Sequence, residues 1–511
     1  MKKAFYNACI YGQSHDAFLV EEGVFTKIGN SKDITSLADE CIDLKGFHVY
    51  PGFNDSHLHV LNFGFLLDNI DLSDTKSVEE LLKALKEGND DQHPWVIARG
   101  FNNDKYPDHR YPLKQELDQL FPDKPVAVAR CCGHVMIANS KALKLAGIEK
   151  DTVIAGGHID FEKGVLEEAG LERLKQAMPK NDKEIFKRYI LKAADKLNSY
   201  GVTSVNSHDL LSFDDNYQNV IDAYQELAKE GKLNIRVHAQ CQFRDEDQLN
   251  EFIDKYPYLS GDDHFRIGPQ KILLDGSLGA RTAYLSHNYP GTDKRGILSM
   301  SIEEFERMVK AAWLKGTPSA VHSIGDGALD IILDTFEKYP GEHGIIHLQV
   351  TRKDQLKRII EKKYKAIVQT IFLDYDSSIV HKYLDDDLAD SSYAFRTLYD
   401  GTLLTNGSDC PVELPNVLKG IQMAVTRKSL SFDEEAYNPA EALSVTQAID
   451  SFTINPAILE HNQDHKGMIR EGYLADFVIT DKAIEKEDVD HIKDIKILAT
   501  YLGGKPVYEN A

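Results

Sequence analysis

Eight times along the chain a short aliphatic and β-branched run ends in a polar residue and gives way to helical periodicity. The runs fall at residues 48–54, 202–207, 235–240, 267–274, 319–323, 344–349, 366–370 and 403–406. Runs that stay apolar instead of alternating suit strands buried on both faces of a parallel sheet. Between them lie amphipathic segments such as residues 182–200. There Ile185, Tyr189, Ala193 and Leu197 form one apolar stripe, and Gly201 stops it. Eight strands alternating with helices through right-handed crossovers predict an α/β fold, a (β/α)8 TIM barrel. A doubly wound sheet would give a similar alternation.

Two regions fall outside the repeat. Residues 1–48 read as short strands (18–24, 25–28 and 47–49), and strand-like segments at 475–479 and 496–502 answer them, with a turn at Gly503-Gly504-Lys505. They predict a small β-sandwich domain made of residues 1–48 plus 467–511, around a barrel of residues 49–466. The second exception is the stretch of about 150 residues between the first two runs, where a βα connection normally needs a few dozen. It carries Pro107, Pro112, Pro122, Pro125 and helical pieces. Residues 62–180 are expected to form an inserted cap, entering at the C-terminal face of the barrel where active sites sit.

The 511 residues are 42% hydrophobic and 27% charged, which excludes a disordered chain. With 81 acidic against 59 basic residues, the net charge of −22 repels phosphate backbones and anionic membrane faces. This predicts no nucleic-acid polymer and no membrane as partner, and says little about the substrate, because bound metal ions can reverse the local sign of a site. The six cysteines include no C-x-x-C pair, so reduced thiols are expected. Asn7, Gln13, His15 and Asp16 interrupt any apolar leader after Met1-Lys2-Lys3, and no run of about 18 apolar residues occurs. A cytoplasmic protein is expected, and a homodimer is the commonest assembly for such a chain.

The strongest chemical signal is Pro51-Gly52-Phe53-Asn54-Asp55-Ser56-His57-Leu58-His59. Residues two apart in a strand share a face, so His57 and His59 present two imidazoles side by side at a strand's end. That suits one divalent cation, zinc by default. Further along, Lys271 is a charged residue in an otherwise apolar strand. It either pairs with Asp275, reaches the rim, or becomes a carbamate whose oxygens bridge two metals. His322 and His347 each follow aliphatic residues, and Asp409 closes the eighth run. Taken singly, each of these also reads as core, cap or turn.

Jointly, in this order, they resemble the amidohydrolase superfamily, in particular the amidohydrolase-3 (YtcJ-like) group that includes N-substituted formamide deformylases. The resemblance rests on PGFNDSHLH, KILLDGSLGARTA from Lys271, VHSIGDGAL around His322, IIHLQ around His347 and NGSDCPV around Asp409. The stretch from Lys466 to Phe477 also looks like the superfamily's return to its β domain. The resemblance implies a binuclear centre of two Zn2+ ions. His57, His59 and Asp409 would hold the first, and carboxylated Lys271 would bridge to a second completed by His322 and His347. A hydroxide between the metals would be the nucleophile, with Asp409 as catalytic base and then acid. It also suggests that Phe101, Asn102 and His134 of the insertion face the substrate, within Arg99-Gly100-Phe101-Asn102-Asn103 and Arg130-Cys131-Cys132-Gly133-His134. His134 could equally pack the cap. The segment at 164–168 reads either as a flexible flap or as a solvated helix start. Arg281 would recognise a substrate carboxylate or pair with surrounding acids, and His208 and His238 read as packing residues.

The chain departs from the family pattern at Gly344-Ile345-Ile346-His347, where Arg-Ile-Glu-His is usual, and at Gly325-Asp326-Gly327-Ala328, where Gly-Asp-Arg-Ala is usual. The reading is a metal-dependent amidohydrolase cleaving a C–N bond of a small molecule. Its alternatives are an ester or lactone hydrolase, a mononuclear deaminase, and a catalytically silent binding module.

Overall fold

The structure is a computed structural model that describes residues 1–511 except 91–92, 132–133, 155–156, 214–216, 434 and 511. Cys132 and Gly133 of the insertion motif therefore lie outside the described residues. Two compact units divide the chain: residues 1–62 with 193–511, and residues 63–192.

In the first unit, eight parallel strands form one sheet in sequence order. They are Phe53–Leu58, Val202–Ser207, Arg236–Gln242, Phe265–Leu273, Ser319–Ser323, Gly344–His347, Lys365–Val368 and Leu404–Asn406. Every residue of the first, second and sixth is buried. Two faces out of water leave no position for polar alternation, which is why the runs read as continuous. Helices such as Tyr217–Lys229, Ile302–Leu314 and Asp326–Lys338 connect the strands, each with one buried apolar face. The first and eighth strands meet at their C-terminal ends. There the Asp409 N–H donates to the His57 carbonyl at 2.7 Å, and the His59 N–H to the Cys410 carbonyl at 2.8 Å. The expected α/β barrel is the fold of this unit.

The barrel begins later than the run at 48–54 predicts. His48–Pro51 pairs antiparallel with Phe477–Thr480 in a different sheet, and the barrel strand starts at Phe53. Gly52 marks the crossing: a Cβ there would lie 2.2 Å from Thr203 Oγ1, so the chain can pass this close to strand two only without a side chain.

Strands from both ends of the sequence build two further sheets. One orders Val24–Gly29, Ala17–Glu21, Lys3–Tyr6 and Glu40–Asp43. The other orders Cys9–Ile10, His48–Pro51, Phe477–Thr480, Ile497–Leu502 and Lys505–Glu509. Phe5, Phe18, Phe25, Phe477 and Tyr501 fill one aromatic core with contributions from both. Phe477 stacks on Tyr501 at 4.5 Å between ring centres. At the entry to barrel strand three, buried Arg236 forms a two-pronged pair with Asp476, at 2.6 and 2.9 Å.

The second unit has the expected helical pieces, among them Val78–Gly88, Lys114–Leu120 and Ser140–Leu145, and a sheet that its sequence does not announce. It contains a six-stranded sheet ordered Gly157–Asp160, Val165–Glu168, Val135–Ala138, Val126–Arg130, Val96–Phe101 and Ile70–Asp71. Val126 and Val128 face one apolar cluster with Leu81, Leu85 and Phe101, while Ala127 faces another with Trp95, Leu143 and Leu166. Strands of two to six residues are too short to leave a periodic signature of their own. Among the described residues, no helix is long and apolar enough to cross a membrane.

Candidate metal centre

The six residues expected to bind metal form one continuous chain of neighbours at the C-terminal ends of the barrel strands. His59 Nε2 lies 3.1 Å from Asp409 Oδ1, and His57 Nε2 lies 3.4 Å from the same oxygen. Lys271 Nζ is 3.4 Å from His57 Nε2. The rings of His57 and His347 are 5.5 Å apart, and those of His347 and His322 are 4.4 Å apart. The potential ligand atoms of His57, His347 and Asp409 all lie within 4.8 Å of one another.

Tautomers decide what these imidazoles can do. His57 Nδ1–H donates to Gln240 Oε1 at 2.7 Å, His59 Nδ1–H to the His208 carbonyl at 3.0 Å, and His347 Nδ1–H to Gln369 Oε1 at 2.6 Å. Because an amide or carbonyl oxygen can only accept, the proton sits on Nδ1 in all three rings, and each Nε2 carries a lone pair. His322 is the reverse: its Nε2–H donates to the Gly276 carbonyl at 3.0 Å, leaving Nδ1 as its free lone pair. The His57 lone pair and the His59 Nε2 therefore converge on one Asp409 carboxylate oxygen, an arrangement that suits a cation. A neutral-imidazole and carboxylate donor set of this kind fits a divalent metal ion.

Burial works in the same direction. It holds His57 and His347 well below the ordinary histidine range, so both stay neutral, and nearby Lys271 reinforces the effect. Burial also pushes the Lys271 amine down to about 7, with Asp409 opposing. Pairing of Lys271 with Asp275 is not what the structure shows. Asp275 instead accepts the backbone N–H groups of Tyr284, Ile324 and Gly325 at 2.8–3.1 Å. His347 and Asp409 adopt left-handed backbone conformations, with φ of 79° and 58°. Non-glycine residues held there concentrate at functional sites.

Of the remaining candidates, Phe101, Asn102 and His134 belong to the second unit and Arg281 to the first. Phe101 is fully buried in the core of the second unit. Asn102 Oδ1 caps a short helical turn through the Asp104 N–H, and His134 is exposed, 3.2 Å from Glu168. The segment Val165–Glu168 is a strand, and a helix starts directly after it at Ala169. Arg281 is exposed, its guanidinium 5.3 Å from the centre of the Tyr383 ring. His238 donates Nδ1–H to Asn206 within a buried network that includes Glu460.

Two departures from the family pattern have a packing basis. A Cβ on Gly327 would lie 2.8 Å from the Leu285 backbone, so the loop after strand four excludes the usual arginine. Ile346 packs among Ala320, Ile367 and Leu459, where a glutamate would be buried without a partner. Gln240 and Gln369 were not singled out in the sequence, although each closes an apolar run, and that was the available signal.

The comparisons with known proteins agree with this geometry. The model of the amidohydrolase family Amidohydro_3 matches residues 40–508. YtcJ of Bacillus subtilis (strain 168), which bears the name of an amidohydrolase, is 32% identical over 100% of both chains. An N-substituted formamide deformylase of Arthrobacter pascens is 23% identical, covering 96% of this chain and 95% of the relative. The crystal structure of an uncharacterized metal-dependent hydrolase from Pyrococcus horikoshii superposes with a TM-score of 0.80 at 29% identity. That match covers 96% of this chain and 99% of the other. With the barrel, the converging imidazole nitrogens and a family match over nearly the whole length in agreement, the chain belongs to the amidohydrolase family.

Proposed function

We propose that this hydrolase cleaves an amide-type C–N bond of a small molecule at a binuclear zinc centre. The observation that carries the reading is the convergence of His57 and His59 Nε2 on Asp409 Oδ1, with the buried Lys271 Nζ 3.4 Å from His57 Nε2. His57, His59 and Asp409 would hold one ion. The neutral Lys271 amine would add to carbon dioxide, forming an N–C bond and releasing one proton, and the carbamate, with His322 and His347, would supply the ligands of a second. Bound there, divalent ions supply an activated water at neutral pH and polarise a substrate carbonyl. Asp409 takes the proton of the attacking water and returns it to the leaving nitrogen. Arg281 is assigned to a substrate carboxylate, and His134 to the substrate carbonyl.

The grouping of His57, His347 and Asp409 within 4.8 Å favours a second reading, a one-ion site of the deaminase kind with Lys271 left as an amine. Elemental analysis of the parent and of Lys271→Ala, together with a panel of matched amides and esters, separates the two. About two zinc ions per chain, falling in the variant, with amides hydrolysed, is the expected result. One ion unchanged by the substitution selects the one-ion site, and no metal at all refutes both.

A further inference from the structure

The loop that carries Asp409 is held in place by a residue outside the donor set. We propose that Asp55 is a positioning residue for the metal centre, tying the turn at residues 407–409 to the first barrel strand and so setting the spacing between Asp409 and His57. The proposal rests on the assignment of Asp409 and His57 as metal donors.

Asp55 is 1% exposed. Its Oδ1 accepts the His57 N–H at 3.2 Å and the Ser408 N–H at 3.1 Å. Its Oδ2 accepts the same Ser408 N–H at 3.1 Å and the Ser408 hydroxyl at 2.5 Å. One carboxylate thus grips both sides of the seam between strands one and eight, at His57 itself and at the residue preceding Asp409. The Ser408 oxygen in turn accepts the Cys410 N–H at 3.1 Å. Every group facing Asp55 across this seam is a donor, a pattern that an anion with two accepting oxygens satisfies and an amide satisfies only in part.

Two further observations show how tightly the turn is set. A Cβ on Gly407 would lie 2.6 Å from the His57 nitrogen and 2.7 Å from Asp55 Oδ1. Asp409 sits at φ 58°, a conformation that persists in a non-glycine residue only when its surroundings impose it. The Asp55–Ser408 contacts, together with the Asp409 N–H to His57 carbonyl bond, are what impose it. The Asp55 oxygens hydrogen-bond none of the six donor side chains, so the residue acts through the His57 and Ser408 N–H groups and the Ser408 hydroxyl.

The test is the zinc affinity of the full chain, by chelator competition, for the parent, Asp55→Asn, Asp55→Ala and Ser408→Ala, with folding followed by circular dichroism. Asp55→Asn and Ser408→Ala are expected to weaken zinc binding about tenfold or more while remaining folded, as partners behind metal ligands do. Asp55→Ala is expected to weaken it further, and should it fail to fold, the near-isosteric Asp55→Asn carries the test. Parent-level affinity in folded Asp55→Asn and Ser408→Ala overturns the proposal, whatever happens to their melting temperatures. A parent chain that binds no zinc sinks the metal reading itself, and the proposal with it.

Discussion

Lys271 offers the sharpest quantitative test, because burial moves it from 10.5 to about 7. Only the neutral amine can add to carbon dioxide. At pH 8 an ordinary lysine is neutral in about 0.3% of molecules, whereas Lys271 is neutral in about 90%, a gain of roughly 300-fold. At pH 6 the neutral fraction of Lys271 falls to about 10%. The sign follows from desolvation: a buried site disfavours the ammonium, so the amine form is lost only as pH falls through about 7. Burial keeps His57 and His347 neutral well below their ordinary range, so these two ligands stay competent at pH 6, and the dependence on bicarbonate isolates the lysine. Metal-stripped protein reloaded with zinc should therefore take up its second ion at pH 8 with bicarbonate, and only in part at pH 6 or without bicarbonate. Elemental analysis reads the stoichiometry. Labelled 13C bicarbonate should give a carbamate resonance that Lys271→Ala lacks. Equal zinc content at both pH values regardless of bicarbonate, with no carbamate signal, would refute the reasoning.

Two other substitutions probe the frame. Gly407→Ala forces a methyl to within 2.6 Å of the His57 nitrogen; it should destabilise the chain by about 1–3 kcal/mol and weaken zinc binding, read by denaturant titration and chelator competition. Asp476→Ala leaves the buried Arg236 guanidinium without its carboxylate and should lower stability by about 3–5 kcal/mol, while zinc affinity stays at the parent level because the pair sits at the opposite end of strand three.

The barrel was legible because a strand buried on both faces has no choice but to read as a continuous apolar run, as residues 344–347 do. Lys271 stood out for the same reason, a charge where the pattern forbids one. The start of the barrel was not legible. His48–Pro51 and Phe53–Leu58 are both short apolar segments, and what assigns them to different sheets is a partner, Phe477–Thr480, more than 400 residues away. The sheet of the second unit escaped because its strands are brief, two to six residues each. Around the metal centre, histidines and a carboxylate at strand ends could be named from their order. The residues that set their tautomers could not: Gln240 and Gln369 become visible only when their side-chain oxygens are seen 2.7 and 2.6 Å from the rings. His208 contributes through its backbone carbonyl, a role that its side chain does not announce.

The aromatic core shared by the two ends of the sequence also sets a timetable for synthesis. Phe5 and Phe18 pack edge-on against Phe477, and Phe5 against Tyr501, so nearly the whole chain is translated between one partner and the other. At about 5–20 residues per second, the stretch of about 470 residues from Phe5 to Phe477 takes roughly 25–95 s to make. For that interval the early rings must find a temporary partner or be shielded by chaperones. Barrel strand one is in the same position, its own approach fixed by a β-strand still inside the ribosome. The rings of Phe5 and Phe18 thus gain their permanent partners long after they are made.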